Sequence, residues 1–195
     1  MASKEDILEQ LVEEYFIHLG YFVRHNVKFK PRRSHPDFVK NQDSNHSDID
    51  VLALNPRLSG PEKVMAVSCK SWQSGFNPKQ KIDQIKGNKI VSGRDAWRGF
   101  RELVSPKWSE AFISSVTEAT AHNQFTYVTA VTAVKGQREV WEQHQPFLSA
   151  LGGNPIRLLS LKMMLHEVSG ALTTTMAGTE LGRTLQLFRA AGIAL

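Results

Sequence analysis

Lys70 closes a run that is otherwise apolar or neutral, Val64-Met65-Ala66-Val67-Ser68-Cys69-Lys70, and an ammonium there needs solvent or a counter-charge. Asp50 is the obvious partner, because it heads a second apolar run, residues 51–54, that can pair with the first across a turn. A period of two puts Ser68 on the face of Lys70 and turns Val67 and Cys69 away. Asp48 precedes Asp50 by two residues and shares its face, about 6.6 Å away along an extended strand. A plain ion pair at two strand ends is one reading of Asp50 and Lys70. The other is a reactive centre, and the surrounding charge suggests an anionic polymer as its partner. Acidic residues Asp43, Asp48, Asp50 and Glu62 lie between two basic segments. The first, residues 24–40, holds Arg24, Lys28, Lys30, Arg32, Arg33 and Lys40 against Asp37 alone. The second, residues 79–107, includes Lys79, Lys81, Lys86 and Lys89. A solvated surface accounts for the same charges without any partner.

Such residues need a sheet to hold them. Residues 4–19 carry Ile7, Leu8, Leu11, Val12, Tyr15, Phe16 and Leu19 at helical spacing, with Ser3 as N-cap and Gly20 as stop. Residues 21–29 alternate as a strand that ends in the basic turn Lys30-Pro31-Arg32-Arg33, and 34–47 read as a polar loop. Strands 49–54 and 64–70 form a hairpin through a turn punctuated by Pro56, Gly60 and Pro61. After a loop, Ser105 and Pro106 open a helix to about 122, followed by a strand over 125–134. One helix over 138–151, stopped by Gly152-Gly153, precedes a strand over 156–161 and further helices. With no repeat and no shift in composition, residues 1–195 read as one α/β domain. The helices from about 162 to 195, bearing Leu181, Leu185, Leu187 and Phe188, are expected to pack on it or to mediate a homodimer.

Composition narrows the alternatives. The chain has 24 Lys+Arg against 19 Asp+Glu and is 41% hydrophobic, which is globular. No apolar stretch approaches the roughly 20 residues that cross a bilayer, and the acidic start is unlike a signal peptide. A soluble cytoplasmic protein without a membrane partner is expected. A single cysteine, Cys69, excludes an internal disulfide and a zinc ribbon. The histidines lack HxH or HExxH spacing, and no glycine-rich nucleotide loop occurs. Trp72, beside Lys70, can stack on a base or pack over a nucleic-acid backbone.

The string Ser47-Asp48-Ile49-Asp50-Val51-Leu52-Ala53-Leu54, a turn, and Val67-Ser68-Cys69-Lys70-Ser71-Trp72-Gln73 resembles the PD-(D/E)XK nuclease motif, an Asp followed after a hairpin by (E/Q)xK. It is most similar to Mrr-type restriction endonucleases and archaeal Holliday-junction resolvases. Those families begin with a helix whose Glu stands eleven residues before a Gly-aromatic pair, as Glu9 stands before Gly20-Tyr21. The similarity covers roughly residues 4–75 and implies a restriction endonuclease-like core, a mixed central sheet flanked by helices, with extra C-terminal helices.

The resemblance also implies a chemistry. Phosphodiester hydrolysis in this superfamily uses Mg²⁺ or Mn²⁺, and a hard cation prefers carboxylate, carbonyl and water oxygens. By position Asp50 is a metal ligand, the Cys69 backbone carbonyl another, Glu9 an outer-shell group and Lys70 the residue that holds the attacking water. Gln73 can steady a phosphate or water. Ser68 stands where Glu, Asp or Gln belongs, and a hydroxyl is a weaker Mg²⁺ ligand than a carboxylate. Asp48 or Glu9 is a candidate to make up the loss, and Ser68→Glu is expected to gain metal affinity. DNA is the expected substrate, with Lys28, Lys30, Arg32, Arg33, Lys79, Lys81, Lys86 and Lys89 on its phosphates. The competing expectations are a catalytically inactive nucleic-acid-binding protein on the same fold, and a dimerising scaffold.

Overall fold

The computed structural model describes residues 4–71 and 74–193. Ser3, Trp72 and Gln73 lie outside the described residues. Five strands form one mixed sheet in the order β1-β2-β3-β6-β7. β1 (Phe22–Phe29), β2 (Ser47–Leu54) and β3 (Val64–Lys70) run antiparallel to one another. β6 (Thr126–Val131) and β7 (Ile156–Ser160) then add in parallel. Antiparallel neighbours need only short turns, whereas the parallel joins at β3–β6 and β6–β7 need crossovers, and the crossovers supply the helices.

Before β1 comes α1 (Lys4–His18), and after β7 come α8 (Leu161–Ala171) and α9 (Glu180–Ala190). These three cover one face, where Leu8, Val12 and Phe16 share a core with Val51, Val67, Cys69, Val128, Met164 and Leu185. The opposite face is covered by the crossover elements α3 (Pro78–Lys86), α4 (Arg101–Val104), α5 (Pro106–Thr120), α6 (Glu139–Glu142) and α7 (Gln145–Ala150). A four-residue helix α2 (Lys40–Asp43) lies in the loop before β2, and the two-stranded hairpin β4 (Ile90–Val91) and β5 (Arg94–Asp95) stands apart from the main sheet. Covered on both sides, β6 is buried along its whole length and β3 everywhere but at Lys70, which is why both read as continuous rather than alternating runs. Among the described residues no helix is long and apolar enough to cross a membrane.

Several local expectations are corrected. The segment expected as one helix over 138–151 is two short ones, because Pro146 has no N–H and fits the first turn of α7 rather than the interior of a longer helix. Residues 77–104, read as loop, hold α3, the hairpin and α4. Asn77 caps α3 by accepting the N–H of Gln80 at 3.0 Å, and Pro78 takes the first helical position. Ser105 precedes α5 as expected, yet makes no side-chain cap; its carbonyl accepts instead from Trp108 and Ser109. Leu181 and Leu185 are buried in the chain's own core, while Leu187 and Phe188 stay outside it.

Candidate functional site

The β2–β3 ladder runs from Leu54↔Val64 to Val51↔Val67 and stops there. At its end the Asp50 side chain replaces the strand backbone, with Oδ2 accepting the Cys69 N–H at 2.5 Å. In a strand a residue's N–H and C=O face the same neighbour, so the Cys69 carbonyl looks toward this end of β2 as well. The distortion has a source on β1. Asn26 lies opposite Asp50, between the pairs His25↔Val51 and Val27↔Ile49, and has a left-handed φ of 53°. Across that point Val51 packs in the α1 core and Ile49 in the α5 core, so β2 twists at Asp50.

β6 fixes the other side. Its pairs Ala66↔Tyr127, Ser68↔Thr129 and Lys70↔Val131 line up the site face row by row. The small Ala66 leaves room for the Tyr127 ring, whose hydroxyl interacts with Ser68 and donates to Glu102 Oε1 at 2.5 Å. Glu102 comes from α4 and is 5% exposed. Burial pushes its carboxyl above the usual range; the Lys70 ammonium and the Tyr127 hydroxyl work against that rise, and the charge of Asp50 adds to it. Burial likewise drives the Tyr127 phenol well above its ordinary value, with the Glu102 charge next in importance. Lys70 is half-buried, its Nζ 5.9 Å from the centre of the Phe100 ring. Asp50, Ser68, Lys70, Tyr127 and Glu102 therefore form one interacting group on the α4–α5 side of the sheet.

The remaining expected residues differ in burial and position, and Gln73 lies outside the described residues. The Cys69 thiol is buried on the opposite face. Glu9 is half-buried on α1, beside Leu8, which packs with Val67 and Cys69. The C-terminal end of α1 is tied to the β2–β3 turn, where the Tyr21 hydroxyl donates to the Glu62 carbonyl at 2.8 Å, so the Glu9 end lies toward the Lys70 end of β3. Asp48 is exposed and lies opposite Lys28 in the β1–β2 register. Lys28, Lys30, Arg32, Arg33, Lys79, Lys86 and Lys89 are exposed, and Lys81 is half-buried.

The two basic segments are joined through one carboxylate. Asp43, 1% exposed, accepts the Val39 N–H at 2.7 Å, Lys107 Nζ at 2.6 Å and Trp108 Nε1 at 3.1 Å. The Arg101 guanidinium stacks 4.4 Å from the Trp108 ring centre. Burial alone would raise the Asp43 carboxyl; these three hydrogen bonds, with the Lys107 charge, hold it below the ordinary range. Glu102 was not singled out by sequence reasoning, and Asp43 entered it only as one of four acidic residues between the basic segments. Glu102 stands next to the apolar Leu103 in a stretch too short to show periodicity, and a charged pair, Arg101-Glu102, between Phe100 and Leu103 was the available signal.

Comparison of the chain with protein-family models, with curated proteins and with solved structures finds no match.

Proposed function

We propose that the protein is a metal-dependent endonuclease of the PD-(D/E)XK type, hydrolysing phosphodiester bonds of DNA, in which Glu102 supplies the carboxylate that Ser68 does not. The observation that carries this reading is the buried Glu102, in electrostatic contact with both Asp50 and Lys70. A first helix, an antiparallel β1–β2–β3 meander and parallel β6 and β7 support a restriction endonuclease-like core.

The donor set suits a hard cation. Two carboxylates repel each other in this buried corner, and one of them has its ionisation opposed by burial, a cost that a divalent ion would offset. Among the described residues no group of three or more His, Cys, Asp and Glu side chains could hold an ion. In the proposed reading Mg²⁺, or Mn²⁺, would be held by Asp50, Glu102 and the Cys69 carbonyl, since Mg²⁺ binds through one or two carboxylates and keeps several waters. Bound there, the ion would polarise a phosphate oxygen and acidify a water. The chain's own residues do the positioning. The Cys69 N–H fixes the Asp50 rotamer, Tyr127 and Ser68 orient Glu102, and Lys70 presents an ammonium that can hold the attacking water and neutralise charge gathering on the phosphate.

Incubation with supercoiled, linear, single-stranded and branched DNA, with Mg²⁺ or Mn²⁺ and an EDTA control, tests the reading. Divalent-dependent cleavage that disappears in Asp50→Ala, Lys70→Ala and Glu102→Gln is the expected result. Salt-sensitive DNA binding without cleavage under any ion would favour an inactive nucleic-acid-binding protein instead.

A further inference from the structure

The hairpin β4–β5 and the single-turn 3-10 helix after it, Ala96–Phe100, help enclose a cavity of about 360 Å³ beside the candidate site. Its charged lining is Lys81 of α3, Arg94 and Asp95 of β5, Arg98, and Arg101 at the start of α4. Four cations thus meet one carboxylate, and that carboxylate is already engaged, with Asp95 Oδ2 accepting Arg98 Nε at 2.8 Å. Of the cations expected to meet DNA in this segment, only Lys81 belongs to the lining; Lys79, Lys86 and Lys89 lie outside it.

The walls are set before any ligand arrives. Ser92 and Gly93 take φ of 52° and 77°, the two left-handed residues of a two-residue hairpin turn, which fixes how Arg94 is presented. Arg101 is held by its stacking on Trp108, by a hydrogen bond from its Nε to the Arg98 carbonyl at 3.2 Å, and indirectly by Asp43, which pins Trp108. The Arg98 and Arg101 guanidiniums, held in place by Asp95, by Trp108 and by the Arg98 carbonyl, can bind a tetrahedral oxyanion through paired N–H donors with reduced ordering cost. An anion would also offset the repulsion between Arg98 and Arg101, which Glu102 and Asp43 already oppose at Arg101. The cavity adjoins the candidate site through three consecutive residues: Phe100 beneath Lys70, Arg101 on the cavity, Glu102 in the site.

We propose that this cavity binds a phosphate group of the nucleic-acid strand, near the one that is cleaved. The assignment rests on the nucleic-acid reading above and adds to it a fixed position for the substrate.

Two measurements without divalent ions test it. Inorganic phosphate is titrated while the arginine side-chain N–H resonances are followed by NMR, and a short labelled DNA duplex is bound across a range of salt in EDTA. Phosphate is expected to shift Arg94, Arg98 and Arg101. Arg94→Gln, which disturbs no ion pair among the described residues, and the double variant Arg94→Ala/Arg98→Ala are expected to weaken DNA binding about tenfold and to lower the slope of log K against log salt by about 0.9, the loss of one phosphate contact. Arg101→Lys, which keeps the charge and removes the planar fork, should weaken phosphate binding while keeping the fold. If phosphate moves none of these resonances, the proposal is overturned. It is overturned equally if phosphate binds but the DNA salt slope is unchanged in the variants, because the phosphate would then belong to another molecule. Failure of the nuclease reading looks different: no divalent-dependent cleavage, with the phosphate shifts and the altered salt slope intact.

Discussion

Two buried carboxylates, Asp43 and Glu102, lie close to α5, and their surroundings are opposite in kind. Asp43 is surrounded by donors, an amide, an ammonium and an indole, and its carboxyl is held low. Glu102 is about as deeply buried, but it accepts from a neutral phenol and its one cationic neighbour, Lys70, is shared with another carboxylate, so burial prevails and it is pushed high. A carboxylate with its charge compensated ties two segments together and has no reason to take a further ligand. A carboxylate whose charge is poorly compensated destabilises the resting fold, and such groups cluster where something else completes the environment.

The sharpest way to break this contrast is to neutralise each group in turn. Glu102→Gln is expected to reduce divalent-dependent cleavage by about 10³-fold, roughly 4 kcal/mol of barrier, while the metal-free protein melts at a temperature as high as the parent or higher. Asp43→Ala should do the reverse: unfolding by urea should show a loss of about 3 kcal/mol, the cost of leaving Lys107 without its buried partner, with residual activity following the fraction folded. If Glu102→Gln unfolds the protein and Asp43→Ala does not, the two roles have been assigned the wrong way round.

A smaller effect sharpens the assignment of Glu102. With that carboxylate present, Ser68→Glu places another acid beside the Tyr127 hydroxyl and is not expected to improve metal binding, contrary to what the motif alone implies. In the Glu102→Gln background the same change moves the carboxylate to its usual strand position. A recovery of about tenfold in cleavage is expected there, and calorimetry with Mn²⁺ should show binding return with it. No recovery in a folded double variant would show that Glu102 does not act as the missing ligand.

The smallest effects are in pH dependence, and the signs differ. Glu102 keeps its proton in the folded metal-free protein at pH values where the unfolded chain has lost it, so stability declines as pH rises above the ordinary carboxyl range toward the higher folded value. Asp43 contributes stability that is present above its ordinary value and is lost as pH falls through the lower folded one. Urea midpoints measured from acid to neutral pH should therefore lose their high-pH decline in Glu102→Gln and part of their acid decline in Asp43→Ala.

What could be seen from residue order alone follows the same division. Asp50 and Lys70 were legible because a hairpin keeps them within twenty residues, each at the end of an unbroken apolar run. The β2–β3 hairpin, the strand before it, α5 and β6 were legible as elements for the same reason, while the pairing of β1 with β2 was not. Glu102 was not, because it reaches the site through a four-residue helix and across the sheet, a contact that no local pattern encodes. The Asn77-Pro78 start of α3 was readable in principle, but the surrounding Lys and Gln residues hid the buried Ile82 and Ile85. Asp43 looked like one more acidic residue in a polar loop until α5 was laid against it.

The bond between the Cys69 amide and Asp50 makes the chain's single thiol a reporter of breathing motions in the sheet. The sulfur faces the α1 side and is buried, so an alkylating reagent reaches it only when α1 and the end of β3 separate, a local opening that loosens the joint at Asp50. Modification kinetics then count openings of the very joint on which the site depends. By mass action, an ion or oligonucleotide that binds only the closed form should slow alkylation in proportion to its occupancy, about a hundredfold at a concentration one hundred times its Kd.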